Sequence, residues 1–259
     1  MSRAEIIKDC QDIADLAMIS ARGFFRNGMA VDYKEDDSPV THADKSIEKL
    51  VRQTIAERHQ THGILGEEHG LKSSNQDEMW VVDPIDGTRS FISGHPLFGF
   101  LLAYLHKGVP EVGVIAMPML NEVMIGVRGQ GSTMNGSSMQ VSQVNALEDA
   151  VVYINEGEKI FADHPSILSR LMSAGQTRRF SYDCYPYALL AMGHVDIVVD
   201  YDLKPYDFMA LRVVIEAAGG ILTDWNGERP GLAYEGPILA AATPELHQAM
   251  GTVLMGDLS

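Results

Sequence analysis

Cysteine is scarce: the 259-residue chain has two, Cys10 and Cys184. Two thiols build neither a disulfide framework nor a four-cysteine metal site, and a reducing cytoplasm suits them best. No stretch approaches the ~20 consecutive apolar residues of a bilayer crossing, so no membrane span is expected. The first residues, Ser-Arg-Ala-Glu-Ile-Ile-Lys-Asp at 2–9, carry charge where an export signal needs an apolar core, so export is not expected. Basic residues are also few: 20 Lys and Arg against 35 Asp and Glu give a formal net charge of -15. Gripping a nucleic-acid backbone needs clustered Lys and Arg, which excludes nucleic acid as a partner. There is no internal repeat, no Gly-x-Ser-x-Gly elbow and no Cys-x5-Arg loop, so serine and cysteine nucleophiles are set aside.

What is present is a globular composition, 46% hydrophobic and 21% charged, with length for one large domain or two closely packed halves. The acid surplus serves solubility, a cation site, or both.

Apolar residues at helical spacing (Ile6, Cys10, Ile13, Ala17, Ala21 and Phe24) predict a scaffold helix from Ala4 to Phe25, ended by Gly28. A polar loop at 33–38 leads to a second helix from about Thr41 to His59. Asp44 in its first turn either complements the helix dipole or, with Thr41, faces a cleft. Gly63–Glu68 reads as a short buried strand ending in two acids. Side chains alternate along a strand, so only one of Glu67 and Glu68 points into a given site. Residues 71–78 read as a polar loop or flap.

The most informative stretch is Trp-Val-Val-Asp-Pro-Ile-Asp-Gly-Thr-Arg-Ser-Phe at 80–91. A buried strand delivers Asp83 and Asp86, which either form a turn or bind a hard cation such as Mg2+. Gly87 admits a close ligand, and the helix start behind it offers N–H groups to an anion. From 98 to 143 the pattern is an antiparallel meander with hairpin turns at Gly108, Arg128–Gly131 and Asn135-Gly136. His95 and His106 lack ligand spacing and read as surface or satisfied histidines. After about 145 strands and helices alternate, an α/β signature, so a subdomain boundary is expected there, between 1–145 and 146–259. Asp200 closes a strand. Asp183 and Asp207 open helices, as caps or as groups delivered to a cleft. Asp224-Trp-Asn-Gly-Glu reads as a hairpin turn.

Taken together, Val-Thr-His-Ala-Asp at 40–44, Gly-Glu-Glu at 66–68, the 80–88 motif and Tyr206-Asp207 resemble the inositol monophosphatase family of metal-dependent phosphatases, in family order across nearly the whole chain. The resemblance implies a layered α-β-α-β-α sandwich with its site between two subdomains. It implies two or three Mg2+ held by Glu67, Asp83, the carbonyl of Ile85, Asp86 and Asp207, with Asp83 bridging. Gly87 and Thr88 would offer N–H groups to phosphate. Asp44 and Thr88, with Glu67 among the catalytic groups, would orient and deprotonate the attacking water. Three further stretches resemble the histidinol-phosphatase subgroup: Arg-Ser-Phe-Ile-Ser-Gly-His-Pro at 89–96, Asp-Cys-Tyr-Pro-Tyr at 183–187 and Leu-Lys-Pro-Tyr-Asp-Phe at 203–208. The substrate implied is a small phosphorylated metabolite, histidinol phosphate, with Asp183 and Asp200 as contacts to its amine and imidazole. Arg89 either steers phosphate or pairs with a surface acid. The subgroup usually has Glu at position 200 and tends to Gly at 202; Asp200 and Asp202 depart from it. A homodimer is also implied.

Overall fold

The computed structural model describes residues 2–28, 31–33, 39–72 and 77–256. Helix α1 (Arg3–Phe24) opens on a capping box: the Ser2 side chain accepts from Glu5 N–H, and the Glu5 carboxylate accepts from Ser2 N–H at 2.8 Å. It ends before Phe25, short of the expected stop at Gly28. Strands β1 (Val31–Tyr33) and β2 (Pro39–Thr41), which the polar composition hid, pair as a small antiparallel ribbon. Residues 34–38 of the expected polar loop lie outside the described residues. Thr41 then caps α2 (His42–Arg58).

β3 (Gly63–Gly66) pairs antiparallel with β4 (Gly70–Lys72) and parallel with β5 (Glu78–Asp86). The expected flap at 71–78 is therefore corrected. Leu71 and Lys72 are tied into an edge strand, and Glu78 begins β5, bonded to Tyr104 and His106; 73–76 fall outside the described residues. After a short helix α3 (Thr88–Ile92) come β6 (Gly99–His106), β7 (Val109–Met117), β8 (Glu122–Val127), β9 (Gly131–Met134) and β10 (Ser137–Met139). They form the expected antiparallel meander, in an eight-stranded sheet of order β10-β9-β8-β7-β6-β5-β3-β4. Asn135 and Gly136, both at positive φ (48° and 82°), make the tight turn their residue types favour.

The remaining chain runs β11 (Val151–Ile154), α4 (Gly157–Asp163), α5 (Pro165–Leu171), β12 (Thr177–Phe180), α6 (Tyr185–Ala191), β13 (Ile197–Leu203), α7 (Pro205–Ala217), β14 (Ile221–Asp224), β15 (Gly236–Ala241) and α8 (Pro244–Met255). Its sheet has five strands in the order β12-β11-β13-β15-β14. Asp224 Oδ1 accepts from Asn226 and Glu228 N–H (2.9 and 2.8 Å), the turn expected there.

Side-chain alternation explains the layering. Trp80, Val82, Phe100 and Leu102 face α1 and α2; Met79, Val81, Leu101 and Ala103 face α6 and α7. The same two helices cover Val198, Ile238 and Ala240 of the second sheet, whose far face packs Ile197, Val199 and Leu239 against α5 and α8. The result is an α-β-α-β-α sandwich. Among the described residues no helix is long and apolar enough to cross a membrane.

Helix α7 lies unusually close to the first sheet, over two glycines. A Cβ on Gly113 would sit 2.4 Å from the Ala210 carbonyl oxygen, and one on Gly126 would sit 2.5 Å from Val214 Cα. Backbone cannot yield as a flexible side chain can, so Gly126→Ala is expected to cost about 1–3 kcal/mol by overpacking. Gly23→Ala meets nothing within 4 Å at the end of α1 and should instead gain up to about 1 kcal/mol of helix propensity. Thermal unfolding of the two variants beside the parent checks both signs.

Candidate active site

The site begins with a defect in β5. Asp83 pairs with Leu101 of β6, and Asp86 pairs with Gly99. Three steps on β5 thus match two on β6, which is a β-bulge. Residues three apart on a regular strand point to opposite faces. The bulge reverses the parity, so Ile85 turns into the α1–α2 layer while Asp83 and Asp86 both line one cleft. Asp83 is buried and its Oδ1 accepts from Ile85 N–H at 3.0 Å. Asp86 Oδ2 accepts from Cys184 N–H at 2.5 Å, a bond from the head of α6 to β5.

Gly87 follows in the left-handed region (φ 89°), and a Cβ there would lie 2.4 Å from Asp183 Cγ. Only glycine fits. Thr88 Oγ1 lies 3.1 Å from Asp44 Oδ1 and 3.2 Å from the Ile85 carbonyl oxygen. Both are acceptors, so the hydroxyl hydrogen is spent on them. The Thr88 oxygen is left to accept a proton from whatever sits in the cleft. Asp44 and Thr41 do not line the cleft, contrary to one expectation. Fully buried Asp44 stands behind Thr88, and its Oδ2 also takes Thr41 N–H at 2.9 Å, capping α2. Of the two readings of Asp44, the structure keeps the one at the start of α2, as its cap.

Two other elements complete the cluster. Asp207 stands in the first turn of α7 behind Pro205, and its Oδ2 accepts from Lys204 N–H at 2.7 Å. It is a cap and also lines the cleft. One carboxylate oxygen each from Asp83, Asp86 and Asp207 lie within 4.8 Å of one another. Glu67, in the turn after β3, lines the same cleft, whereas Glu68 does not. One of the two acids lines it, but the strand expected to reach them ends at Gly66, so the turn and not strand alternation separates them.

Burial, then repulsion from Glu67, Asp86 and Asp207, drives the Asp83 carboxyl far above the usual range. Burial, then Asp183 and Asp207, does the same to Asp86. Asp207 is pushed up to about 8 by burial, opposed by the Lys204 N–H and reinforced by Glu67 and Asp200. The donor set is all oxygen. Cys184, the one soft group on the cleft wall, turns its Sγ to Met117 Sδ at 3.8 Å. Hard oxygen donors carrying uncompensated charge fit a hard divalent cation.

The outer wall comes from the second sheet. A second bulge, in β13 between Asp200 and Leu203, sends Tyr201 toward α8 and Leu203 toward α7. Asp200 is no strand terminus, as had been expected; β13 runs on to Leu203. Both its oxygens are engaged. Oδ2 accepts from Asn155 Nδ2 and the Tyr187 hydroxyl (2.8 Å each), and Oδ1 accepts from Tyr201 N–H at 2.8 Å. Burial raises it to about 7 against those three donors. Asp183 does not open the helix, which begins at Tyr185. It sits at φ 60°, accepts from Ser90 Oγ at 2.5 Å, and is pushed by burial to about 6. Arg89, on the cleft wall and 56% exposed, meets Glu156 at 3.8 Å. His106 is paired with Glu78 at 2.9 Å.

Sequence reading missed Glu156, Lys159, Tyr187, Asp202 as an ion-pair partner, and the supporting Asn155. Lys159 Nζ lies 3.1 Å from Glu156 Oε2 and 3.0 Å from Asp202 Oδ2. Helix α4 went unseen as well, so nothing brought Glu156 or Lys159 to the cleft.

The model of the inositol monophosphatase family matches residues 3–254. The bifunctional phosphatase IMPL2, chloroplastic, of Arabidopsis thaliana is 39% identical over 91% of this chain and 71% of its own length. A histidinol-phosphatase of Chlorobaculum parvum is 38% identical over 91% of this chain and 89% of its own. An inositol monophosphatase structure from Zymomonas mobilis superposes with a TM-score of 0.88 at 32% identity, covering 98% of this chain and 99% of that one.

The raised carboxyls have a stability consequence. Unfolded aspartates titrate near 3.8, and the folded Asp207 near 8. Folding without a cation therefore takes up protons, so the cation-free protein loses stability as pH rises from about 4 to about 8. Mg2+ should raise the melting temperature more at pH 9 than at pH 6, because at pH 6 it must displace protons. Asp83→Asn should raise the melting temperature in chelator at pH 8 by roughly 2–8 °C and shrink the Mg2+ shift. Differential scanning fluorimetry with and without Mg2+ reads both.

Proposed function

Because the chain belongs to the inositol monophosphatase family, we propose that this phosphatase hydrolyses L-histidinol phosphate to L-histidinol and phosphate, with Mg2+ as cofactor. Glu67, Asp83, the Ile85 carbonyl, Asp86 and Asp207 hold the cations. Bound there, Mg2+ lowers the pKa of water and offsets charge on the leaving oxygen. The protein's own groups do the rest. Gly87 and Thr88 present N–H groups to the phosphate. Thr88, its hydrogen committed to Asp44 or Ile85, takes the proton side of the attacking water and aims it.

The charge of the cleft carries the substrate assignment. Eight carboxylates line it (Glu67, Asp83, Asp86, Glu156, Asp183, Asp200, Asp202 and Asp207) against two cations, Arg89 and Lys159. Setting aside the four carboxylates assigned to metal leaves four acids (Glu156, Asp183, Asp200 and Asp202) against Arg89 and Lys159, a formal excess of two negative charges on the outer wall. An alcohol bearing an amine and an imidazole meets that excess; a neutral polyol does not. In histidinol phosphate the amine sits on the carbon next to the ester methylene, so it falls close to the phosphate. Asp183, packed on Gly87, is the acid at that distance. The imidazole extends toward Asp200, Asp202 and Glu156.

The relatives' names leave room for a broader reading, inositol 1-phosphate or other small monoesters. Phosphate release from histidinol phosphate, inositol 1-phosphate and 3'-phosphoadenosine 5'-phosphate, each with Mg2+ and with chelator, separates these. The expected result is a kcat/KM for histidinol phosphate at least about 100-fold above the others, abolished by chelator and by Asp207→Asn. Turnover of inositol phosphate at a matching rate keeps the metal chemistry and removes the histidinol assignment. No turnover of any substrate favours a cation-binding protein without catalysis.

Asp183→Asn gives a sharper check on specificity. It should raise KM for histidinol phosphate by roughly 10–100-fold, the loss of one charge-assisted contact. The residual inositol 1-phosphate activity should change less than threefold. Steady-state kinetics on both substrates decides it.

A further inference from the structure

Helix α2 carries a second acid on the face that holds Asp44. Glu48 lies one turn on and is fully buried. Its carboxylate reaches across to the turn that bears Glu67. Oε2 accepts from Glu68 N–H at 2.7 Å, and Oε1 accepts from His69 N–H at 3.2 Å and from Arg52 Nε at 2.7 Å. Arg52 in turn donates to the Gly70 carbonyl. On the near side, Gly66 has no side chain because Glu48 occupies its place: a Cβ there would fall 2.1 Å from Glu48 Oε1. Glu67 N–H itself donates to the Val82 carbonyl at 3.3 Å, next to Asp83. Residue 67 is thus held between β5 on one side and Glu48 on the other.

A carboxylate taken out of water costs several kcal/mol unless donors surround it. Here two of the three donors are backbone N–H groups of the turn, beside the Arg52 guanidinium, so bonds that keep Glu48 buried also fix the direction in which Glu67 leaves that turn. We propose that Glu48 is a positioning residue that sets the geometry of Glu67 and thereby the protein's affinity for divalent cation. The inference rests on the reading of Glu67 as a cation ligand. It makes α2 a single bar with two duties. Asp44 holds Thr88 at one point, and Glu48 holds Glu67 one turn away.

Glu48→Gln preserves volume but turns an amide N–H2 toward N–H donors, so at least one bond to the turn is lost. Binding of Mg2+ to the whole protein, read by isothermal titration calorimetry, should weaken by roughly 10–100-fold, as for other groups that orient metal ligands. The kcat at saturating Mg2+ should fall less than about threefold. Gly66→Ala pushes on the same carboxylate from the other side. It should weaken binding similarly, and the double variant should be no worse than the poorer single one. Arg52→Gln, a milder change, should weaken binding by a few-fold and serves if Glu48→Gln does not fold.

Glu67→Gln is the reference. If it weakens Mg2+ binding while Glu48→Gln, or Arg52→Gln in its place, leaves the affinity within twofold and only lowers the melting temperature, Glu48 is structural and the proposal is overturned. If Glu67→Gln itself leaves Mg2+ affinity unchanged, the ligand assignment fails first and takes this proposal with it.

Discussion

Carboxylates repel one another, and this fold holds three of their oxygens within 4.8 Å. The way it does so is selective. Each aspartate of the cluster is tied by a backbone N–H: Asp83 by Ile85, Asp86 by Cys184 and Asp207 by Lys204. A neutral donor fixes the direction of a carboxylate without cancelling its charge. A lysine or arginine ion pair would fix it too, but would compete with a cation for the same oxygens. The two basic side chains on the cleft wall, Arg89 and Lys159, are both engaged by Glu156 instead. Burial first, and repulsion among the acids after it, raise the carboxyls at the centre.

The rest of the architecture follows from bringing such groups together. No single element can present them. The β5 bulge delivers two, the first turn of α7 delivers one, and the turn after β3 delivers Glu67. Their relative positions then depend on how the layers pack. Helix α7 seats against Gly113 and Gly126 with no room for a side chain, so the depth of Asp207 is set by backbone contact, which deforms little. The Cys184 N–H reaches Asp86 from the head of α6, and fixes the second layer of helices to the strand that carries the cluster.

The sequence announced the parts that repeat a pattern. The amphipathic stripes of α1 and α2, the hairpin meander with its Asn135-Gly136 turn and the Asp-Pro-Ile-Asp-Gly-Thr motif were all legible, and the family likeness ordered them. What was hidden obeys long-range rules. Leu71 and Lys72 look like loop because β4 is an exposed edge strand with no apolar face to betray it. Glu48 looks like a solvated helix residue, since only the folded turn at 66–69 shows that it is buried. The sequence left Asp44 either at the helix dipole or facing a cleft, and only the fold shows it capping α2 and standing behind Thr88. Asp183 reads as a helix start from a capping residue type, yet the helix begins at Tyr185. Its positive φ instead suits a residue squeezed between Gly87 and Ser90.

Asp202 shows how such a departure can be reasoned about. It lies in the β13 bulge at φ 66°, a conformation that glycine adopts freely and that costs other residues about 1–2 kcal/mol, aspartate being among the more tolerant. The histidinol-phosphatase resemblance leads one to expect glycine at this position, and the backbone explains why glycine would be comfortable there. Aspartate in its place accepts the strain and gains the Lys159 ammonium at 3.0 Å. Glu156, at φ 46°, makes a similar trade on the facing element. Two acids held in left-handed backbone around one lysine are harder to account for by stability alone than by what they put at the mouth of the cleft. That mouth is where the proposed substrate's cationic end would enter. On the proposed reading the carboxylate cluster and the Gly87 and Thr88 N–H groups would serve any phosphate monoester, so discrimination among alcohols would fall to this outer wall.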